Sequence, residues 1–428
     1  MHINPSKIVQ DGSESFSAHF HGGAFTPDAR MGRKLINDRW PMDFLYISPE
    51  FPPNYAQFVL RLCDAGARVW ALGEADFYDM PEDLRSAIAW YVRCDLSSPG
   101  AVMAAAEELL CAKASLGTSG HFDMVESHNE TWLRLEAFLN ERLGIQGLQP
   151  HQIDRIKKKS VMKMVFQRCG LSVARAALVK DGSQAMRLAE DLGYPLILKP
   201  DEGVGAAGIH RLTCPEDLER VLPQLAGEYL LEQWIDAPIV TYDGLADHDG
   251  QVLFESSLVY GCGVLECVEG RDTFFYVHRA IPDGLTLIGR ELVKAFGIRR
   301  KFFHFEFFHR DGVFRPIEIN ARPPGGPILD MMNYSADIDL YANYAAMAVQ
   351  GRADPVRGER RYTAYVGRRQ RSYALSHEEL LAKLGPALLE HGPNPMIFQE
   401  AMGQYRYIFR SPDEEELLNL AELVFRCG

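Results

Sequence analysis

Apolar positions along this chain follow two periods that switch repeatedly, near two residues in some stretches and near 3.6 in others. From Asp43 the chain reads DFLYISPEFPPNYAQFVLRLCDAGARVWALGE: a short apolar run, a Pro-bearing loop, a helix-period stretch, Gly66, and a second apolar run at Val69–Leu72. That order of strand, loop, helix and strand predicts an open parallel sheet. A further apolar stretch, FDMVES at 122–127, runs into Ser127-His128-Asn129-Glu130, which predicts a capping box opening the next helix. The first domain is therefore expected over residues 41–150. No GxGxxG follows its first strand, which argues against a dinucleotide site. His128 and Asn129, at a strand's C-terminal end, either line a substrate cleft or simply belong to the cap.

Past residue 150, RIKKKSVMKMVFQRCGLSV has helical spacing and stops at Gly170, and YPLILKP, GIHRL and YLLEQWI read as strands. This predicts one subdomain over 151–232. Longer strands follow over 233–355, with a helix through SADIDLYANYAAMAV, and a final α+β region over 356–428 mixes RYTAYV and YRYIF with helical HEELLAKL and EEELLNLAELVF. The segment KFFHFEFFHRDGVFRPIEIN reads as a β-hairpin. With a three-residue loop at Arg310-Asp311-Gly312, His309 faces Val313 and Glu306 faces Pro316. Glu306 and Glu318 then become diagonal neighbours on one face, about 7–8 Å apart at the backbone. Pro316 inside a strand points to an edge or a bulge.

Composition narrows the classes. A formal net charge of -13 over 428 residues argues against a nucleic-acid binder, which needs basic surface. The 8 Cys show no paired metal spacing, Cys262 and Cys267 included, and read as reduced thiols of a cytoplasmic protein. No run of about eighteen apolar residues is present, so no membrane span or secretory signal is expected. Residues 1–40, rich in Gly, Ser, His and Asp, read as an N-terminal arm, and His19 and His21 are assigned no chemistry.

Two stretches carry candidate chemistry. In YPLILKPDEGVGAAGIHRL, Lys199 ends an apolar strand, and Gly203, Gly205 and Gly208 follow. Small residues let backbone N–H groups approach phosphate oxygens beside the lysine charge. A flexible hairpin loop predicts the same glycines, and no Gly-Lys-Ser/Thr opens a helix as in a P-loop. In IEINARPPGG at 317–326, Ile317 and Ile319 face one way while Glu318 and Asn320 face the other. Glu306, Glu318 and Asn320 on one face can hold hard cations between them and an incoming polyphosphate, since Mg2+ takes oxygen ligands and keeps positions open for substrate phosphates. Ordinary solvated carboxylates give the same letters.

In this order, Lys159 in KKKSVMK, Lys199 in ILKP, the Gly203–Gly208 loop, LLEQWI, Glu306 in FHFEFF and EINARPPGG resemble the ATP-grasp superfamily over roughly residues 140–350. The layout is similar to amino-acid and dipeptide ligases, and EINARP to the ATP domains of biotin carboxylase and carbamoyl phosphate synthase. The resemblance implies a mixed α/β and α+β architecture. An N-terminal open parallel-sheet domain would precede a glycine-loop lid subdomain and a C-terminal metal-binding subdomain. It implies ATP and Mg2+, with Mn2+ able to substitute. Lys159, Lys199 and the loop glycines Gly203, Gly205 and Gly208 would contact phosphates. Glu232, Gln233, Trp234 and Ile235 would form the hinge along adenine. Glu306, Glu318 and Asn320 would bind metal. Arg322, with Lys199, would steady the transferring phosphoryl group.

The chain departs from the pattern where relatives place a ribose-binding acid, about eight residues past the hinge glutamate. Val240 stands there, and Asp243 is the nearby alternative; Ala206-Ala207 replaces a Ser often found in the loop. The activity implied is an ATP-dependent carboxylate–amine ligase acting through an acyl phosphate and releasing ADP and phosphate. Its partners would be small, amino-acid-like carboxylate and amine substrates, with Arg279 a candidate for pairing a carboxylate, and a homodimer is the expected assembly. The alternatives are a carboxylase-type enzyme activating bicarbonate and a non-catalytic ATP-binding regulatory protein.

Overall fold

The computed structural model describes residues 42–203, 208–261, 272–353 and 359–427. The N-terminal arm, Gly205, Ala206-Ala207, Cys262 and Cys267 lie outside the described residues. The chain forms two compact units. One holds the described residues up to Ile153 together with the stretch beginning at Asp339; the other holds Asp154–Ile338 and the C-terminal stretch.

In the first unit, β1 (Met42–Ile47), β2 (Ala67–Gly73), β3 (Ile88–Arg93) and β4 (Met124–Glu126) form a parallel sheet in the order β3-β2-β1-β4. Every residue of β1 is buried, as expected for a parallel strand covered on both faces. The helix Ala56–Asp64 packs on the helix Leu340–Gln350 of the same unit, where Phe58 meets the rings of Tyr341 and Tyr344 at 4.8 and 5.5 Å. The expected capping box at Ser127–Glu130 does not form. His128 turns left-handed at φ 53, and Asn129 becomes the cap by accepting from Thr131 N–H at 3.0 Å. The His128 ring stacks on Phe58 with centroids 3.7 Å apart and meets Tyr46 Oη at 3.0 Å. The single helix expected through SADIDLYANYAAMAV is two, Ile328–Ala336 and Leu340–Gln350. Asp337 breaks it at φ 48, and Asp339 caps the second by accepting from Ala342 N–H at 2.9 Å.

The second unit holds two antiparallel sheets. The smaller joins β5 (Ala176–Val179), β6 (Leu196–Pro200), β7 (His210–Leu212) and β8 (Tyr229–Gln233) in the order β5-β8-β6-β7. The larger is nine-stranded. Its members are β9 (Ile239–Ala246), β10 (Val252–Ser256), β11 (Leu258–Tyr260), β12 (Thr273–Val277), β13 (Lys301–Arg310), β14 (Val313–Asn320), β15 (Tyr362–Arg368), β16 (Leu388–Pro393) and β17 (Tyr405–Ser411). The order is β14-β13-β9-β11-β12-β15-β17-β16, with β10 also on β9. The C-terminal strands thus extend the same sheet that carries β13 and β14.

The β13–β14 hairpin forms, but in a different register from the one expected. Arg310 pairs with Val313, so the loop is the two residues Asp311-Gly312, both left-handed at φ 52 and 72. That is the preference of an Asp-Gly two-residue turn, whose backbone twist matches the strands. The register then shifts between Glu306 and Phe307, leaving Ile317 as the extra residue and Glu306 directly opposite Glu318. Pro316 accordingly sits at a bulge on an edge strand. Under β9, Gly289 of the helix Leu285–Phe296 lets the helix approach closely: a Cβ there would lie 2.1 Å from the Tyr242 ring.

Candidate active site

Alternation on three neighbouring strands sets six polar side chains on one face. Register places Asp243 opposite His304 and Thr241 opposite Glu306 across β9 and β13, and His304 opposite Asn320 and Glu306 opposite Glu318 across β13 and β14. Tyr242, Phe305 and Ile319 between them, and Phe303 just before His304, are buried in the opposite face. Two carboxylates directly opposite each other repel unless cations lie between or beside them.

Cations come from two directions. Beneath Glu306 is His304, buried, with Nδ1 2.5 Å from Asp243 Oδ1 and Nε2 3.2 Å from Glu306 Oε1. Burial alone would lower its pKa, but the adjacent Asp243 carboxylate outweighs burial and lifts it to about 9. As an imidazolium it donates from both nitrogens. Asp243 is itself held by the Thr241 hydroxyl, which also accepts from Leu258 N–H at 2.9 Å. The second direction is the N-terminus of the helix Lys159–Arg168. Lys159 Nζ lies 3.3 Å from Glu318 Oε2 and 3.4 Å from the Gly203 carbonyl. Burial pushes the Glu318 pKa up, yet Lys159, Lys199 and Arg322 together hold it below the usual carboxylate value.

What brings Lys159 there is Asp201, buried at the end of β6. Its carboxylate accepts from Ser160 N–H and Ser160 Oγ, each at 2.7 Å, and its carbonyl accepts from Lys159 N–H at 2.9 Å. The end of the Lys199 strand is thereby tied to the helix's first turn. Lys199 Nζ reaches Glu232 Oε2 at 2.6 Å, and Lys163 Nζ reaches Glu232 Oε1 at 2.7 Å. At the proposed hinge, Gln233 N–H donates to Arg175 O at 2.9 Å and Trp234 N–H to Pro195 O at 3.2 Å. Arg211 lies over the Trp234 ring at 4.3 Å. Ile235 follows directly, half-buried. Arg322 Nη1 donates to Pro323 O at 2.8 Å. Gly203 and Gly208 flank the loop, Gly208 at φ 72. Arg279 is remote from this cluster in sequence and donates to Pro412 O at 3.2 Å.

The donor set suits hard cations and phosphate. Among the described residues no group of three or more His, Cys, Asp or Glu side chains is placed to hold a metal alone. Glu306, Glu318 and Asn320 supply two carboxylates and an amide oxygen, a partial oxygen shell of the kind Mg2+ completes with water and substrate phosphates. Lys159 and Lys199 add the positive charge such phosphates need. A groove of about 510 Å³ lies beside Lys163, bordered by Met164, Arg175, Leu178 and Leu230, but it contains none of the three oxygen donors. Donor chemistry rather than volume locates the candidate centre. The residues not anticipated from sequence are Lys163, Asp201 and His304. Lys163, four residues after Lys159, shares its helix face and His304, two before Glu306, shares its strand face, but that spacing names no partner for either, and Asp201 carries no such signal.

No family model matches the chain. The C-terminal section of a carbamoyl phosphate synthase large chain from Methanopyrus kandleri is 25% identical over 147 residues, 33% of this chain and 26% of that protein. This chain thus spans about a quarter of that relative's length. A crystal structure of L-amino acid ligase from Bacillus licheniformis matches with a TM-score of 0.65 at 18% identity, covering 89% of this chain and 96% of that one. The biotin carboxylase domain of Hydrogenobacter thermophilus 2-oxoglutarate carboxylase, solved with MgADP and bicarbonate, matches with a TM-score of 0.59 at 16% identity over 90% of each chain. The chain has the ATP-grasp fold, shared with the L-amino acid ligase and the biotin carboxylase domain.

Proposed function

We propose that the chain is an ATP-dependent carboxylate–amine ligase that activates a small, amino-acid-like acid as its acyl phosphate and releases ADP and phosphate. The observation that carries this reading is the meeting of Lys159 with Glu318, 3.3 Å apart, beside Glu306 and Asn320. A phosphate-type cation and the metal-type donors share one site, in a fold common to an L-amino acid ligase. Mg2+ held by Glu306, Glu318 and Asn320 would offset charge on the terminal phosphates. Lys159 and Lys199 would hold those phosphates, and Arg322 would steady the acyl phosphate while an amine opens it. Asp201 fixes Lys159 in place before any ligand arrives, and His304 does the same for Glu306.

Phosphates gathered at the lysines favour cleavage between the β and γ phosphorus atoms. An ATP-consumption screen over paired amino acids, polyamines and small acids is expected to yield ADP and phosphate, and hydroxylamine with the correct acid is expected to yield a hydroxamate. AMP and pyrophosphate from the correct pair would refute the mechanism. The match to a biotin carboxylase domain favours one competing reading, bicarbonate activation. ATP hydrolysis that depends on bicarbonate, with no acid required, would select that reading instead.

A further inference from the structure

Lys163 is a buried charged group to which the nucleotide reading assigns no task. Lys163 lies on the helix Lys159–Arg168, its side chain only 8% exposed. Its ammonium sits 2.7 Å from Glu232 Oε1 and 3.3 Å from the Ala174 carbonyl. The other carboxylate oxygen, Oε2, takes Lys199 at 2.6 Å, with side-chain exposures of 7% for Lys199 and 4% for Glu232. Each oxygen of one buried carboxylate therefore carries one ammonium.

The charges of these three groups sum to +1, and the placement decides where that surplus is felt. Lys199 acts electrostatically on Glu318 as well as on Glu232, so its charge reaches the metal-type face. A lone Glu232 would bind Lys199 as a neutral buried pair and draw its ammonium away from any phosphate. Ion pairs in a poorly hydrated site are strong, so such a pair would compete effectively with an incoming anion.

We infer that Lys163 is a positioning residue which neutralises Glu232, so that the charge of Lys199 remains available to nucleotide phosphate. The inference rests on the nucleotide reading above. It assigns to Lys163 no contact with nucleotide: its effect passes through Glu232 and ends at Lys199. A purely structural role would be to anchor the helix to β8, and that role would cost stability without a specific effect on phosphate affinity.

The two roles separate in a binding cycle read by isothermal titration calorimetry with MgADP. The wild type, Lys163→Met, Glu232→Gln and the double variant are titrated, with thermal melting followed in parallel. Lys163→Met is expected to bind about tenfold or more weakly, the scale of one charge-assisted hydrogen bond lost. Glu232→Gln, which keeps the backbone of the proposed hinge and frees Lys199, is expected to bind at least as tightly as the wild type. The double variant is expected to match Glu232→Gln, because once the carboxylate is neutral Lys163 has nothing left to offset. Should Lys163→Met fail to fold, Lys163→Gln takes its place, a side chain that can still donate to Glu232 but carries no charge: weakened MgADP binding supports the inference and wild-type binding overturns it. Lys163→Met binding at the wild-type level, or a loss on removing Lys163 that persists in the Glu232→Gln background, would overturn the inference. Wild-type protein that does not bind MgADP would overturn the nucleotide reading itself, a result separate from either of these.

Discussion

Replacing Glu318 with Gln tests the metal site, because the structure gives that carboxylate two opposed neighbours. Lys159 attracts it across 3.3 Å, about 5 kcal/mol at an effective dielectric near 20. Glu306, directly opposite, repels it. Paired side chains in a sheet lie about 5 Å apart, which gives about 3 kcal/mol of repulsion at the same dielectric. The Gln variant loses both, a net cost of about 2 kcal/mol, while the weaker pull lost from Lys199 and Arg322 is set against no longer burying a charge, so it is expected to remain folded with a melting temperature lower by about 4–8 °C. Function is expected to fall much further. Losing one charged ligand removes several kcal/mol of charge stabilisation at phosphoryl transfer, a drop in turnover of about 10²–10³-fold. A second signature follows from the same ion pair. With Glu318 neutral, Lys159 loses the pull of that carboxylate, so ADP alone is expected to bind more tightly than in the wild type while the gain from adding Mg2+ shrinks. Calorimetry with ADP in the presence and absence of Mg2+, coupled to ADP-release kinetics across a Mg2+ titration, reads both. Wild-type turnover at subsaturating Mg2+, together with an unchanged Mg2+ gain, would refute Glu318 as a ligand.

Asp201→Ala removes both acceptors at the start of the Lys159 helix; a loss of about 1–2 kcal/mol in denaturant unfolding is expected, with weakened MgADP binding because Lys159 is no longer held in place. Asp201→Asn, which keeps one acceptor, should retain part of the affinity. Gly289→Ala would set a methyl 2.1 Å from the Tyr242 ring, and the helix must move away from β9; about 1–3 kcal/mol of stability is expected to be lost by thermal or chemical denaturation, and an unchanged melting curve would show that the helix has room. Among the cysteines, burial pushes Cys63 and Cys94 up to about 12, whereas Cys111 and Cys427 are exposed. Because a raised pKa leaves thiolate scarce below that pH, maleimide at pH 8 is expected to label Cys111 and Cys427 first and to spare Cys63 and Cys94, as mass spectrometry of the labelled peptides would show.

How far the sequence could be read depended on whether the deciding contacts were local. The parallel sheet of the first unit was legible because continuous apolar runs separated by a helix-period stretch leave few other folds. The hairpin at Glu306–Glu318 was legible in kind but not in register. Asp311-Gly312 carried the two-residue turn in its letters, yet the one-residue shift at Ile317 depends on how Pro316 is tolerated at the edge of the sheet. Each change moved the pairing by about a residue, and the Glu306–Glu318 separation contracted from diagonal to directly opposite. Similarly, Ser127 and Glu130 fit a capping box by spacing alone. The backbone instead turns left-handed at His128, where the ring is trapped between Phe58 and Tyr344, a contact with a helix more than two hundred residues later in the chain.

The candidate site shows the same limit in chemical form. The residues proposed to meet solvent-borne ligands sit in recognisable company: a lysine at a strand end, glycines after it, and Glu and Asn alternating before a turn. Lys163, Asp201 and His304 act on protein groups instead, and each is identified only by a partner distant in sequence: Glu232, Ser160 and Asp243 respectively. A buried charge requires such a partner, because an ion removed from water without one is strongly destabilising. The partner can come from any strand that the fold brings near. Hence the groups that would touch ATP and metal are legible from a linear pattern, while the charges that hold those groups in place become visible only once β9, β13 and the Lys159 helix are assembled. If Lys163 does set the charge left on Lys199, phosphate affinity in this chain is controlled by a residue that never meets the phosphate. Substitutions there would then change nucleotide binding while leaving every contacting residue intact.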